Sequence, residues 1–494
     1  MKQGTNRLTK QKDKENIALA VVFAALVLVV NMILYALSSH LGLFTNMTEP
    51  EYYTLSGVSD SYFDAVNPEK DDITLYFCMS KEELNENFTY GRIYDTARQF
   101  EERYDFFHIA YLDVFYDYEK IEELSAMQRE HEEGDFSVGK ATVIFASEAT
   151  GIAAFRNLNS FYVYDEVNTE DDDMIFLGEE LISGCSGLVL KAERPKAYFT
   201  VGHGETLTTS MKNALFMAGF DIVVADLSSY EIEDDCALVV ISAPIYDFEE
   251  FADSTMVSEI SRLRDFVDGG GTLWILRDPL APSLTRLDNL CAEYGLSVTA
   301  NAYLKDTADS LNTSGTTLLL QPASSPYVLS LTERIQAVTG APLSTKAATG
   351  RCSAIHITQT EKATASALLV SSDSARLVDK EGSFLSEEGT FTAAAVAQTK
   401  ENGGSLVLFG SGSFSDEILM ETDAYANKDL LFALAEENTQ VVTPIGCGTV
   451  IINAEPLEHL TRGASVFYFV SLTVVIPCVI LAFGTVVYFR RKSR

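Results

Sequence analysis

The chain has 494 residues, roughly three times a typical domain of ~150, so one to three packed domains are expected. Hydrophobic residues make up 47 % and charged residues 22 %, which excludes a wholly disordered or collagen-like chain. Lys plus Arg number 36 against 71 Asp plus Glu, a formal net charge of −35. An acidic excess of that size repels phosphate backbones, so nucleic acid is excluded as an expected partner.

Residues 1–16 form a basic tail with Lys2, Arg7, Lys10, Lys12 and Lys14. From 17 to 39 runs the first long apolar stretch, uncharged from Ile17 to Leu37 and long enough to cross ~30 Å of hydrocarbon as a helix. A second uncharged stretch covers 466–489, with Pro477 inside it, and residues 490–494 close the chain with Arg490, Arg491, Lys492 and Arg494. Basic flanks on both stretches predict a two-span protein of the plasma membrane, both termini cytoplasmic and the bulk of the chain outside. The alternative for the first stretch is a cleaved signal peptide, since Ala36-Leu37-Ser38 has the small-x-small form, but its apolar length exceeds the usual ~7–15 residues.

Between the spans, residues 40–190 read as a stalk followed by a first α/β unit. Ile73–Ser80 and His108–Phe115 are strand-like, Ile93–Tyr104 and Tyr118–Glu132 are helical, and Lys140–Ser147 with Gly151–Tyr164 form a pair of strands. Residues 191–440 read as a second α/β unit. Ala197–Val201, Asp221–Ala225, Ala237–Ala243 and Thr272–Leu276 are short apolar strands, alternating with helices over Thr208–Ala218 and Val257–Val267. Continuous apolar strands in that rhythm predict a parallel sheet covered on both faces. Residues 285–400, rich in Ser, Thr and Ala, read as an insertion with strands of its own. Ser405–Gly410 is expected to rejoin the sheet before a helix near Asn427–Ala435. Residues 441–465 lead back to the membrane.

The seven cysteines are widely spaced, odd in number and contain no C-x-x-C, which argues against a disulfide framework, a zinc ribbon and a thioredoxin-type site. The six histidines include no H-x-x-x-H pair, so no metal is expected. Gly134–Lys140 matches G-x-x-x-x-G-K, but Ala141 replaces the magnesium-binding hydroxyl and the motif precedes a strand rather than a helix, so it reads as a turn. No cofactor is expected.

Candidate ligand or interaction residues sit where an α/β sheet places ligands, just past the carboxyl ends of strands. These are Gly202, His203, Gly204 and Glu205 after the first strand, Asp278 after the fourth, and Ser411 and Ser413 after the last. Each also has a plainer reading as turn chemistry. A hydrolase or amidotransferase needs a nucleophile on a sharp strand-to-helix turn, yet Ala237–Ile241 leads only into Ser242-Ala243-Pro244, and Cys236 lies at the wrong end. No catalytic residue is therefore assigned.

Four segments in order carry a family likeness: Lys196–Glu205 (KAYFTVGHGE), Leu263–Pro279 (LRDFVDGGGTLWILRDP), Ser405–Glu417 with Asn427–Leu434, and Ile476–Lys492 with its basic stop. Together with the two terminal spans they resemble the GldG-like, gliding-motility-associated auxiliary components of bacterial ABC transport systems. The resemblance implies a non-enzymatic membrane subunit whose partners are an ABC permease, a separate ATPase and membrane lipid. It also implies that the second unit is similar in fold to class I glutamine amidotransferases without their activity. Two other readings stay open: a surface hydrolase or amidotransferase-like enzyme built on the loops around His203, and an independent ligand-binding or sensor ectodomain with a deep apolar pocket.

Overall fold

The computed structural model describes most of residues 54–452. Outside the described residues lie 1–53, 64–70, 129–136, 165–173, 252–255, 340–345, 422–424, 440–442, 444–449, 453–494 apart from Gly484, and a few single positions. Both predicted spans, Gly484 apart, and the first three residues of the G-x-x-x-x-G-K turn fall there. Among the described residues no helix is long and apolar enough to cross a membrane. The described residues from Leu55 to Ile452 belong to one compact unit with mixed α/β structure.

After α1 (Val58–Phe63) the chain runs through β1 (Ile73–Phe77), α2 (Lys81–Glu86), α3 (Phe88–Arg103), β2 (Phe107–Tyr111), α4 (Tyr118–Ala126), β3 (Thr142–Ser147) and β4 (Ile152–Asn157). These strands form a sheet in the order β2-β1-β3-β4, with β1 and β2 parallel and the other pairs antiparallel. Asn87 separates α2 from α3 by capping the latter, its side chain accepting from the N–H groups of Thr89 and Tyr90 at 3.0 Å. Next come β5 (Tyr162–Tyr164), β6 (Met174–Phe176) and α5 (Gly178–Leu190). The last of these was not legible, because Gly184 and Gly187 interrupt an otherwise helical apolar face.

The larger sheet begins at β7 (Lys196–Thr200), α6 (Thr209–Met217), β8 (Asp221–Ala225), β9 (Cys236–Ser242), α7 (Glu259–Asp268) and β10 (Thr272–Leu276). It continues through α8 (Thr285–Glu293), β11 (Leu296–Val298), β12 (Ala302–Lys305), β13 (Leu318–Pro322), α9 (Pro326–Thr339), β14 (Ala347–Thr349), β15 (Ile355–Ile357), β16 (Ala363–Val370), β17 (Arg376–Asp379), β18 (Thr392–Thr399) and β19 (Ser405–Phe409). After it come α10 (Glu417–Glu421), α11 (Asn427–Thr439) and β20 (Val450–Ile452), the last pairing with β6 in a separate three-stranded sheet of order β20-β6-β5. Five strands run parallel in the order β8-β7-β9-β10-β19, which in chain order is 2-1-3-4-5. The order reverses between β7 and β9, and the open crevice of such a sheet lies there, past the strands' carboxyl ends.

Side chains alternate across the parallel strands, as a doubly covered sheet requires. Phe199, Val240, Trp274 and Leu276 pack toward α6 and α11, where Leu215, Leu430 and Leu434 meet them. Tyr198, Val239, Leu273 and Ile275 pack on the other face, against Leu263, Val267 and Leu287. The region 285–400 does not stand apart as expected. Its strands β13, β14, β16 and β18 extend the same sheet antiparallel from β19, with Ala394 to Gln398 paired to Phe409 to Ser405. Only β12 and β17 pair by themselves. The inner stretch Ala393–Ala397 is nearly all alanine, a residue depleted in strands, so burial rather than propensity makes it a strand.

The first and last described stretches of this unit, around Ser56 and Val450, meet at a single corner. The N–H and hydroxyl of Ser56 donate to the Glu179 carboxylate at 3.0 and 2.7 Å. Three residues before Glu179, Phe176 pairs with Val450 in β20. The next residue, Glu180, is buried and ion-paired at 2.8 Å with Lys428 of α11.

Candidate functional site

At the β7/β9 crevice two glycines let the chain double back. Gly204 has φ +73°, and a Cβ there would stand 2.4 Å from Ile245. Gly202, at φ +112°, leaves room for the Asp226 carboxylate, 3.3 Å from where its Cβ would be. The residue between them, His203, is thereby turned inward. Its carbonyl accepts the N–H groups of Ile245 and Tyr246, both at 2.9 Å, which laces the loop after β7 to the loop after β9.

The His203 ring stacks on Phe248 with centroids 3.9 Å apart and lies between two carboxylates. Nε2 is 3.0 Å from Glu259 Oε2, and Nδ1 is 3.6 Å from Glu205 Oε1. Glu259 is the first residue of α7, follows the capping Ser258, and also accepts the Glu249 N–H at 2.7 Å. Glu205 accepts the backbone N–H of His203 at 2.8 Å. Both carboxylates are almost wholly buried, and His203 is 9 % exposed. Burial works against the charged ring, but Glu205 and Glu259 outweigh it and hold the His203 pKa up at about 9. Burial likewise opposes the Glu205 charge, and the contact with His203 overcomes it, holding the carboxyl below its ordinary range. At neutral pH the ring is therefore an imidazolium, its Nε2 hydrogen-bonded to Glu259 and its Nδ1 facing Glu205 without a hydrogen bond.

A general base needs a free ring nitrogen and a hydroxyl or thiol within reach. Among the described residues the ring partners of His203 are carboxylates alone, with no hydroxyl or thiol hydrogen-bonded to either nitrogen. The position that would carry a nucleophile is Ala243, at φ +51° directly after β9, its N–H donating to the Leu276 carbonyl at 2.9 Å. The strained turn is present, and a methyl group occupies it.

The remaining sequence candidates are turn residues at the same edge. Asp278 is exposed, its carboxylate accepting the Leu280 N–H at 2.8 Å and its carbonyl the Ala281 N–H at 3.1 Å. Ser411 caps the short 3-10 turn Gly412–Ser415, accepting the Ser413 N–H at 3.2 Å, and Ser413 lies against Gly350. Gly412 approaches Ala243 so closely that a Cβ on it would be 2.8 Å away. The loops after β9 and β19 therefore touch, whereas Asp278, Ser411 and Ser413 share no hydrogen bond or ion pair with His203. Sequence reasoning missed Glu259 and Phe248. The only local sign of Glu259 was an acidic residue following a helix-capping serine, and nothing tied it to His203, 56 residues earlier.

Elsewhere, Lys140 of the glycine-lysine turn pairs with Glu83 at 2.6 Å on the surface. Five cysteines are buried free thiols, and burial pushes Cys78 up to about 11 and Cys236, Cys291 and Cys352 to about 12. Among the described residues no group of three His, Cys, Asp or Glu side chains could hold a metal ion. A groove of about 680 Å³ opens at the opposite, amino-terminal edge of the parallel strands, lined by Glu233, Cys236, Arg262, Asp265 and Asn438. It is far from the His203 loops and polar-walled, unlike the deep apolar pocket a sensor domain would need.

No family model matches the chain, and no curated protein matches it. Solved structures show weak likeness. The mmIFT52 N-terminal domain is 15 % identical over 49 % of this chain and 94 % of its own, with a TM-score of 0.33. PurLQS from Thermotoga maritima is 11 % identical over 49 % and 98 %, with a TM-score of 0.27. The cytoplasmic protein STM3548 from Salmonella typhimurium is 12 % identical over 48 % and 98 %, with a TM-score of 0.30. Scores this low bear on neither mechanism nor partners.

Proposed function

We propose that the chain is a non-catalytic, membrane-anchored auxiliary subunit of an ABC transport complex, its α/β body displayed outside the cell and its ATPase supplied by another chain. The observation that supports it best is the shared corner. Ser56 and Val450 stand nearly 400 residues apart near the two ends of the described residues, yet both attach within Phe176–Glu179. Four consecutive residues span at most ~11 Å. A body suspended from two neighbouring spans at 17–39 and 466–489 calls for that arrangement. The motif order and the basic flanks of the spans give the same reading its transport context.

The His203 corner supports the non-catalytic part. A ring that is protonated at neutral pH, with Nε2 bonded to Glu259, has no lone pair to accept a nucleophile's proton, and Ala243 supplies no nucleophile. Anchoring is tested by placing a single cysteine at Tyr246, which is 64 % exposed, and treating intact cells with a membrane-impermeant maleimide. Native thiols among the described residues are buried, and Cys447, outside them, is replaced by serine so that the probe reads position 246. Labelling in intact cells is expected; labelling only after permeabilisation would place the body in the cytosol and defeat the proposal.

A further inference from the structure

The smaller sheet has two edges treated differently. The outer side of β4 is closed by the bridge from Gln128 to Ala153, with the Ala153 N–H on the Met127 carbonyl at 2.9 Å. The outer side of β2 pairs with no other strand among the described residues. Its one side-chain cover is Glu101, an exposed carboxylate that accepts the Ile109 N–H at 2.9 Å. An uncovered edge is a template for another extended chain.

Directly after β2 comes an aromatic tip. Phe115 is 79 % exposed and Tyr116 85 %, and Tyr118 is also exposed. Their backbone is held firmly beneath. Asp113 accepts the N–H groups of Phe115 and Tyr116 at 2.8 and 3.2 Å, and Asp117 accepts the Asp113 N–H at 2.7 Å. Large apolar side chains presented to water on a fixed loop lose little entropy on contact, and such residues anchor interfaces. Glu101, Asp105, Asp113, Asp117 and Glu119 flank this edge in sequence, while the neighbouring cations are already paired, Arg98 with Glu102, Arg103 with Asp60 and Lys120 with Glu123.

That charge selects the occupant. A second copy laid along β2 would set acid against acid, and an anionic lipid surface would be repelled in the same way. We infer that β2 and the Asp113–Tyr118 tip form a docking edge for an extended, lysine- or arginine-bearing peptide segment of a partner protein. The segment adds as a fifth strand, and the aromatic tip grips its end. The surface is independent of the reading of function above and goes beyond it.

The test uses the detergent-solubilised full-length chain and blocked peptides of about eight residues, a usual strand length. One alternates valine with lysine and a control alternates valine with glutamate. Fluorescence anisotropy should show at least tenfold tighter binding of the lysine peptide, weakening as salt is raised. Methylating every second backbone nitrogen in one register should abolish binding, and methylating the other register should leave it. The double substitution Phe115→Ser, Tyr116→Ser should weaken binding at least tenfold with an unchanged circular dichroism spectrum. Equal affinity for the two peptides, or indifference to which register is methylated, would overturn the inference. So would recruitment to phosphatidylglycerol vesicles through the same two aromatics, or a dimer in sedimentation that their substitution dissolves.

Discussion

The crevice between β7 and β9 and the tip after β2 are opposites. The first has the residues that suggest chemistry, a histidine, two glutamates and flanking glycines, with the three charged side chains turned inward against one another. The second has aromatic and acidic residues that suggest nothing in particular, and there the backbone is satisfied inward while the side chains face water. What separates structure from interaction is therefore where the valences point, and residue type is a poor guide to it. The crevice is a lock that holds two loops together; the tip is a surface held ready.

If the crevice is a lock, breaking it should cost stability heavily. Glu259→Ala leaves the imidazolium facing Glu205 alone in a buried site, and a loss of about 3 kcal/mol is expected from urea unfolding of the full-length chain. A loss below 1 kcal/mol would show that the ion cluster does not hold the loops.

Alkaline pH gives the next largest effect. The His203 pKa is about 9 in the folded chain against 6.5 for the free group, so the ring binds its proton more tightly when folded. Its stabilisation is complete below about pH 6.5 and disappears as pH rises through 9, a change of up to about 3 kcal/mol at 1.36 kcal/mol per unit. The stability difference between the natural chain and His203→Gln should therefore shrink between pH 7 and 10. A constant difference would mean the ring is neutral in the fold.

Gly204→Ala tests the turn that delivers the ring. At φ +73°, with Ile245 in the way of a Cβ, about 2 kcal/mol should be lost in thermal unfolding. Ser56→Ala removes one hydroxyl from Glu179 at the shared corner and should cost about 1 kcal/mol, seen as faster amide exchange in Val58–Phe63. At the tip, Phe115→Ser with Tyr116→Ser should change stability by less than about 0.5 kcal/mol, since neither side chain is buried. A large loss there would move the tip from the surface to the core and erase the contrast.

The two regions were unequally legible. Continuous apolar runs such as Ala197–Val201 and Thr272–Leu276 placed the parallel strands, because a fully buried strand is apolar on both faces. The glycines beside His203 marked a turn, and its place past a strand end followed from the β-α-β rhythm. What could not be read was pairing across distance. Glu259 meets His203 only because α7 begins beneath the β9 loop, and Phe176 meets Val450 only because the chain returns to its starting corner. The antiparallel half of the large sheet hid behind alanine, where burial overrides propensity. The edge of β2 was seen as a strand, but its exposure depends on which strand lies outermost, a fact of topology alone.

Membership of a transport assembly is the central proposal for this chain. The direct measurement is crosslinking in native membranes, followed by mild detergent extraction through a tag and mass spectrometry of what is retained. A multi-span permease and an ATPase are expected in constant proportion to this chain. A chain recovered alone and monodisperse from crosslinked membranes would contradict it.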